Sequence, residues 1–176
     1  MENELGKRRI LFSKEEIADR IEELGREISQ DYRDKDLIMV SLLRGSFIFA
    51  ADLARSIDIP VQIDFMTTAS YGHSEKSSGH VALIHDLMSD INGKDVLIVD
   101  DIIDSGRTLN VVKEMLEERG PRSIKICTML DKPSRRSEDV NADYVGFTIE
   151  DLFIVGYGLN YKDHFRNIPY IFTFEK

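Results

Sequence analysis

The sequence predicts a single α/β domain with a mostly parallel central sheet, helices on both faces and a small cap, or hood, over one end. Three observations predict it. Apolar runs of strand length alternate with segments of helical period from Ser13 to Leu130. One of those runs, Leu37-Ile38-Met39-Val40-Ser41-Leu42-Leu43, is apolar on both faces, the pattern of a strand covered from both sides. The remainder, from Asp143 to Lys176, changes character and is rich in Tyr and Phe. At 176 residues, 42% hydrophobic and 31% charged, with no repeat, linker or low-complexity tract, the chain fits one domain with a full core better than two.

Each element has a local cause. Ser13 and Glu16 have the spacing of a capping box, and Ile17, Ile21, Leu24 and Ile28 share one face, which places a helix from Lys14 to about Ser29. The strand Leu37 to Leu43 ends at Arg44-Gly45-Ser46, and a second helical stretch runs to about Ser56, with Ser46 able to cap it. Val61 to Thr67 and Val81 to Leu87 read as strands separated by a polar stretch, and the turn Asn92-Gly93 leads into the strand Asp95 to Val99. Val111, Val112, Met115 and Leu116 have helical spacing, and Gly120-Pro121 stops that helix before the strand Ile124 to Leu130. The hood is assigned to roughly residues 1–30 and 143–176. Ligands of such sheets collect at the carboxyl ends of the strands, so the loops beginning near Arg44, Asp100 and Asp131 are expected to converge.

Composition narrows the function. The formal net charge of -9 argues against nucleic-acid binding, which requires a basic face. An anionic small substrate remains compatible, provided that a local cationic pocket or a divalent metal offsets the overall field. No apolar run is long enough to span a bilayer and the first residues lack the apolar core of a signal peptide, so a cytoplasmic protein without membrane contact is expected. Cys127 is the one cysteine, lies in an apolar run and reads as a buried small hydrophobe.

The chemistry concentrates in Val99-Asp100-Asp101-Ile102-Ile103-Asp104-Ser105-Gly106-Arg107-Thr108. Amides at the start of the following helix, with the hydroxyls of Ser105 and Thr108, can surround a phosphate, and Gly106 permits close backbone approach. Asp100 and Asp101 would repel each other at a strand end unless they meet a cation or hydroxyl donors, and a ribose diol with Mg²⁺ supplies both. Taken singly, Asp104 would read as a helix cap and the other two as solvated charges. The segment has neither the glycine spacing and Gly-Lys-Ser/Thr ending of a Walker loop nor the three glycines of a dinucleotide fingerprint.

This segment resembles the signature of type I phosphoribosyltransferases, and further segments between Ile10 and Tyr170 are similar to the hypoxanthine-guanine branch. The resemblance implies a sugar diphosphate, 5-phosphoribosyl-1-diphosphate, held at Asp100, Asp101, Asp104, Ser105, Gly106, Arg107 and Thr108 with Mg²⁺, and a 6-oxopurine as acceptor. Leu43-Arg44-Gly45 is similar to the family's diphosphate loop, which often carries a cis peptide, and Arg136 and Arg166 correspond to further diphosphate-facing arginines. Ser70 and Tyr71, within Thr67 to Gly79, look like the family's mobile loop. Lys132 matches the lysine that donates to the purine 6-oxygen, Phe153 the ring that stacks on the base, and Ile154 the residue whose carbonyl faces the 2-position. Asp104 then becomes the group that takes or holds the proton at purine N7. Asn160 breaks the pattern, standing where the family has a metal-ligating aspartate, so with Asp100 and Asp101 as the other metal-site residues a weaker second Mg²⁺ site is expected. The family implies a homodimer or homotetramer. Two other readings stay open: a sister transferase preferring xanthine, and a non-catalytic sensor of the sugar diphosphate.

Overall fold

The computed structural model describes residues 6–70 and 81–175. The longest helix follows directly on the first strand. In order, the elements are β1 (Lys7–Phe12), α1 (Lys14–Asp31), β2 (Leu37–Leu43), α2 (Phe47–Ser56), β3 (Val61–Ser70), β4 (Val81–His85), β5 (Asp95–Ile103), α3 (Arg107–Glu117), β6 (Ser123–Asp131), β7 (Tyr144–Thr148) and β8 (Ile171–Glu175), with a 3₁₀ turn at Pro133–Arg135. Six strands form the central sheet in the order β4-β3-β2-β5-β6-β7. Only β4 runs antiparallel, along β3. The outer strands β1 and β8 pair antiparallel as a separate ribbon that ties the two ends of the chain together.

The period-2 pattern decides which helix covers which face. Leu37 and Met39 of β2, with Leu97 and Val99 of β5, join the buried faces of α1 and α2 in one core cluster. Ile38, Val40, Val96 and Ile98 point the other way and pack with Leu109, Val112 and Leu116 of α3. The capping box at the start of α1 forms in both directions: the Glu16 amide donates to Ser13 Oγ at 3.2 Å, and the Ser13 amide donates to the Glu16 carboxylate at 2.8 Å. Cys127 is free and fully buried, and burial pushes its thiol far above the ordinary range. Among the described residues, no helix is long and apolar enough to cross a membrane.

Several expectations need correction. Strand β5 continues past Val99 to Ile103 because β6 is equally long and pairs with it as far as Ile103↔Asp131, so Asp100 and Asp101 stand on a strand rather than in a loop. Strand β3 extends to Ser70 through pairing with β4; Tyr71 lies outside the described residues. Two segments assigned to the hood belong to the main body instead: α1 buries its apolar face on the sheet, and β7 adds to the sheet edge parallel to β6. Ser46 is positioned as the cap of α2 but makes no capping bond; its hydroxyl donates to the Leu42 carbonyl and pairs with Ser41.

Strand β4 stops at His85 because the buried Asp64 of β3 captures the chain beyond it. Its carboxylate accepts from the amides of Phe65 at 2.8 Å, Met88 at 3.0 Å and Ser89 at 2.8 Å. Burial alone would raise the Asp64 carboxyl, but the Ser89 side chain and these amides outweigh it and hold the group below its ordinary value. A carboxyl depressed in the folded state stabilises above its unfolded pKa, and the benefit fades as pH falls through the folded value. Asp64→Ala is therefore expected to lose about 1–3 kcal/mol at pH 7, the cost of leaving buried donors unpaired. In urea unfolding, the gap between wild type and variant should narrow at pH 3; a gap independent of pH would mean that the charge of Asp64 contributes nothing.

Candidate functional site

Strand order fixes where the site lies. From β2 the chain steps outward to β3 and β4, whereas from β5 it steps the opposite way to β6 and β7. The crevice beyond the carboxyl ends of β2 and β5 is thus the switch point of the sheet, where open α/β sheets bind ligands. The loop after β2 and the segment ending β5 meet there in close contact. The Leu43–Arg44 peptide is cis. A Cβ on Gly45 would lie 1.7 Å from Asp101 Oδ2, so only glycine lets that carboxylate rest against the loop backbone.

Asp100 and Asp101 form an unusual electrostatic pair. Asp100 Oδ1 accepts from the Asp101 amide at 3.0 Å, and Asp101 Oδ1 accepts from the Ile102 amide at 2.9 Å. Burial, followed by the neighbouring Asp101, pushes Asp100 well above the usual carboxylate range, and burial raises Asp101 as well. Among the described residues neither carboxylate has an ion-pair partner within 4.0 Å. Two oxygen-donor groups short of positive charge fit a hard divalent cation. No group of three or more acidic, His or Cys side chains that could hold a metal occurs among the described residues. A cation here would have to complete its shell with water and substrate oxygens.

At this pair a cleft opens toward the start of α3. Gly106, at φ 83°, caps α3 in the left-handed conformation that glycine tolerates best. Ser105, Gly106, Arg107 and Thr108 then line a cleft of about 290 Å³ together with Asp100, Asp101, Leu43, Arg44 and Gly45. The positive end of the helix dipole faces this space, as expected for an anion site. Ser105 Oγ accepts from the Arg107 amide at 3.3 Å. Asp104 does not cap the helix; its carboxylate instead lies 3.4 Å from the Arg135 guanidinium and is about half exposed.

A second recess of about 340 Å³ adjoins the first, and Ile102 and Asp104 line both. Its other walls include Lys132, Arg135, Phe153, Ile154 and Leu159. Lys132 is only 7% exposed, and its Nζ donates to the Leu152 carbonyl at 3.0 Å with Asp151 Oδ1 3.4 Å away. Phe153 presents a largely open ring, held edge-on by Tyr161 at 5.6 Å, while Thr173 Oγ1 donates to its carbonyl at 2.7 Å. A flat heterocycle with a hydrogen-bond acceptor on its edge suits such walls.

A third recess, of about 390 Å³, is lined by Leu43, Arg44, Phe47, Asp163 and Arg166. Arg44 lies 3.9 Å from Asp163, and Arg166 Nη1 donates to the Gly158 carbonyl at 2.6 Å. Arg136, expected beside these arginines, is elsewhere: its guanidinium is committed to Asp131, Val140, Asn141 and the Asp104 carbonyl, behind the Asp104–Thr108 loop. Asn160 follows Leu159 but is not among the residues lining these three recesses.

The structure therefore brings together Asp100, Asp101, Asp104 to Thr108, Leu43, Arg44, Gly45, Lys132, Phe153, Ile154 and Arg166, and leaves Arg136 and Asn160 outside the linings. Sequence reasoning missed Arg135, Asp151 and Thr68, which line the same recesses. For Arg135 the available signal was its place three residues after Lys132 in a short turn, and for Thr68 its place in the Thr67 to Gly79 stretch; Asp151 had none beyond proximity to a motif.

Comparison with known proteins agrees with this geometry. The phosphoribosyl transferase domain model matches residues 9–162. The chain is 51% identical over 164 residues to a hypoxanthine phosphoribosyltransferase of Salmonella typhimurium, covering 92% of each. It is 47% identical over 163 residues to a hypoxanthine-guanine phosphoribosyltransferase of Bacillus subtilis, covering 93% of this chain and 91% of the relative. The crystal structure of a hypoxanthine phosphoribosyltransferase from Staphylococcus aureus superimposes with a TM-score of 0.93 at 44% identity, over 99% of this chain and 94% of that one. With a family model spanning most of its length and a cradle, acidic pair and flat recess at one switch point, this chain belongs to the phosphoribosyltransferase family.

Proposed function

We propose that the enzyme transfers the 5-phosphoribosyl group of 5-phosphoribosyl-1-diphosphate to N9 of a 6-oxopurine, hypoxanthine or guanine. The observation that carries the reading is the position of Asp104, which borders the phosphate cradle on one side and the recess of Lys132 and Phe153 on the other. A ribose bridging the two would place its anomeric carbon between the leaving group and the base. The names of the relatives from Salmonella typhimurium and Bacillus subtilis support the same acceptors.

In this mechanism the bond from the anomeric carbon to the diphosphate oxygen breaks as the bond to N9 forms, with an oxocarbenium-like sugar between. Arg44 and Arg166, which line one recess, offset the charge that accumulates on the departing diphosphate. Asp104 holds or accepts the proton at purine N7, which makes N9 the better nucleophile. Lys132 donates to the 6-oxygen and Phe153 stacks on the ring. Bound through Asp100 and Asp101, Mg²⁺ would supply positive charge at the ribose hydroxyls and the leaving group. Purified protein should form the nucleoside monophosphate and diphosphate from hypoxanthine and from guanine and leave adenine almost untouched. Faster turnover of xanthine than of either would point to the sister activity, and no turnover of any base would point to a sensor.

Asn160 offers a neutral amide oxygen where the resemblance places a carboxylate, and a hard cation is held less tightly by it. Asn160→Asp is accordingly expected to reach half-maximal rate at a lower Mg²⁺ concentration than wild type. Superimposable Mg²⁺ titrations would remove Asn160 from any account of the metal.

A further inference from the structure

The back of the phosphate loop is as closely built as its front. The Arg136 side chain is 13% exposed, and all three guanidinium nitrogens are engaged: Nη2 with the Asp131 carboxylate, Nη1 with the Val140 carbonyl and, at 3.3 Å, Asn141 Oδ1, and Nε with the Asp104 carbonyl at 3.2 Å. The next carbonyl, that of Ser105, accepts from the amides of Ser137 at 3.0 Å and Glu138 at 3.1 Å. A trans peptide unit holds its C=O and N–H on opposite sides. Anchoring the carbonyls of Asp104 and Ser105 toward residues 136–138 therefore turns the amides of Ser105 and Gly106 the other way, into the cleft that both residues line. Among the described residues, neither amide donates to a protein acceptor. The two layers touch: a Cβ on Gly106 would lie 2.5 Å from Val140 Cγ1 and 3.0 Å from Arg136 Cδ.

We propose that Arg136 is a positioning residue for the sugar 5′-phosphate: clamped by Asp131, it holds the Asp104 carbonyl backward, beside the Ser105 carbonyl held by the Ser137 and Glu138 amides, so that the Ser105 and Gly106 amides face the phosphate, and it does not bind the diphosphate. The proposal rests on the reading of residues 104–108 as a phosphate cradle. It assigns Asp131, which lines none of the recesses described, an indirect role in substrate binding.

Two compounds separate the roles. Ribose 5-phosphate carries the phosphate without the diphosphate, and inorganic diphosphate carries the reverse. Calorimetric titration of wild type, Arg136→Lys and Asp131→Asn with each, in Mg²⁺ buffer, is expected to show both variants binding ribose 5-phosphate about 10–100-fold more weakly, the loss of one or two hydrogen bonds to a charged group. Diphosphate affinity should stay within about twofold, well under the 1.4 kcal/mol that a tenfold change represents. Asp131→Asn is the sharper variant, because it removes a negative charge and yet is expected to weaken an anion, and it keeps the test open if Arg136→Lys does not fold. Weakened diphosphate with intact ribose 5-phosphate, equal weakening of both, or no change in either overturns the proposal. Failure of wild type to bind ribose 5-phosphate would instead overturn the cradle itself, and the positioning role with it.

Discussion

Replacement of Asp104 by asparagine is expected to slow phosphoribosyl transfer by about 10²–10⁴-fold, the usual contribution of a positioned acid or base. Binding of the sugar diphosphate should change little. Two features of the structure separate this outcome from a mere loss of fold. Asp104 does not cap α3, whose cap is Gly106, so the helix loses no side-chain bond when the carboxylate becomes an amide. The side chain is also about half exposed, and its partner Arg135 can equally donate to the amide oxygen of asparagine. What asparagine cannot do is accept a proton. The loss should therefore fall on kcat, with KM for the sugar diphosphate within a few-fold of wild type and an unchanged melting temperature. A variant with near-normal turnover would leave the N7 proton to solvent or to another group and would remove Asp104 from the chemistry.

The parts of this molecule that were legible in its sequence share a physical property: their cause is local. The capping box at Ser13 and Glu16, the apolar face of Ile17 to Ile28 and the two-sided burial of Leu37 to Leu43 each depend on spacing alone, and each is present in the fold. Convergence of the three loops followed from the alternation of strands and helices, since a parallel sheet places every strand-to-helix turn at the same end. Strand ends were not legible, because they depend on a partner: Asp100 and Asp101 are strand residues only because β6 reaches Asp131. The hood was overdrawn for a related reason. An aromatic stretch such as Tyr144 to Phe174 shows that a surface is buried, not against what, and β7 found the sheet edge while β8 found β1.

The site was legible by motif and illegible by direction. Within the basic pair Arg135-Arg136, adjacent side chains leave the 3₁₀ turn on different sides, one toward the Asp104 carboxylate and the other toward the Asp104 carbonyl behind it. No spacing rule distinguishes them, since the turn has neither the period of a strand nor that of a full helix. The same limit applies to Asp151, whose pairing with Lys132 joins residues 19 positions apart across two loops.

Lys132 carries the other large expected effect, and it concerns choice of base rather than rate. An ammonium has three donors and no acceptor. Here it is nearly buried, with Leu152 and Asp151 as partners, which offset the cost of taking the charge out of water and leave a donor for the recess of Phe153. A 6-oxopurine completes the set. Adenine would place an amino group against an ammonium, donor facing donor, and sites with polar groups left unpaired in this way reject a substrate by about 10⁴-fold or more. Wild type is thus expected to favour hypoxanthine over adenine by that order in kcat/KM. Lys132→Met, which keeps the stem and removes the charge, should lose about 10–150-fold on hypoxanthine, the equivalent of one charged hydrogen bond at about 1.5–3 kcal/mol. Activity on adenine should hold or rise, because a repulsive contact has gone, so the ratio of the two kcat/KM values contracts from both ends. Measuring both bases with both proteins decides the matter: an unchanged ratio in Lys132→Met would assign recognition of the 6-position to some other donor in the recess, with Arg135, the other cation lining it, the first to test.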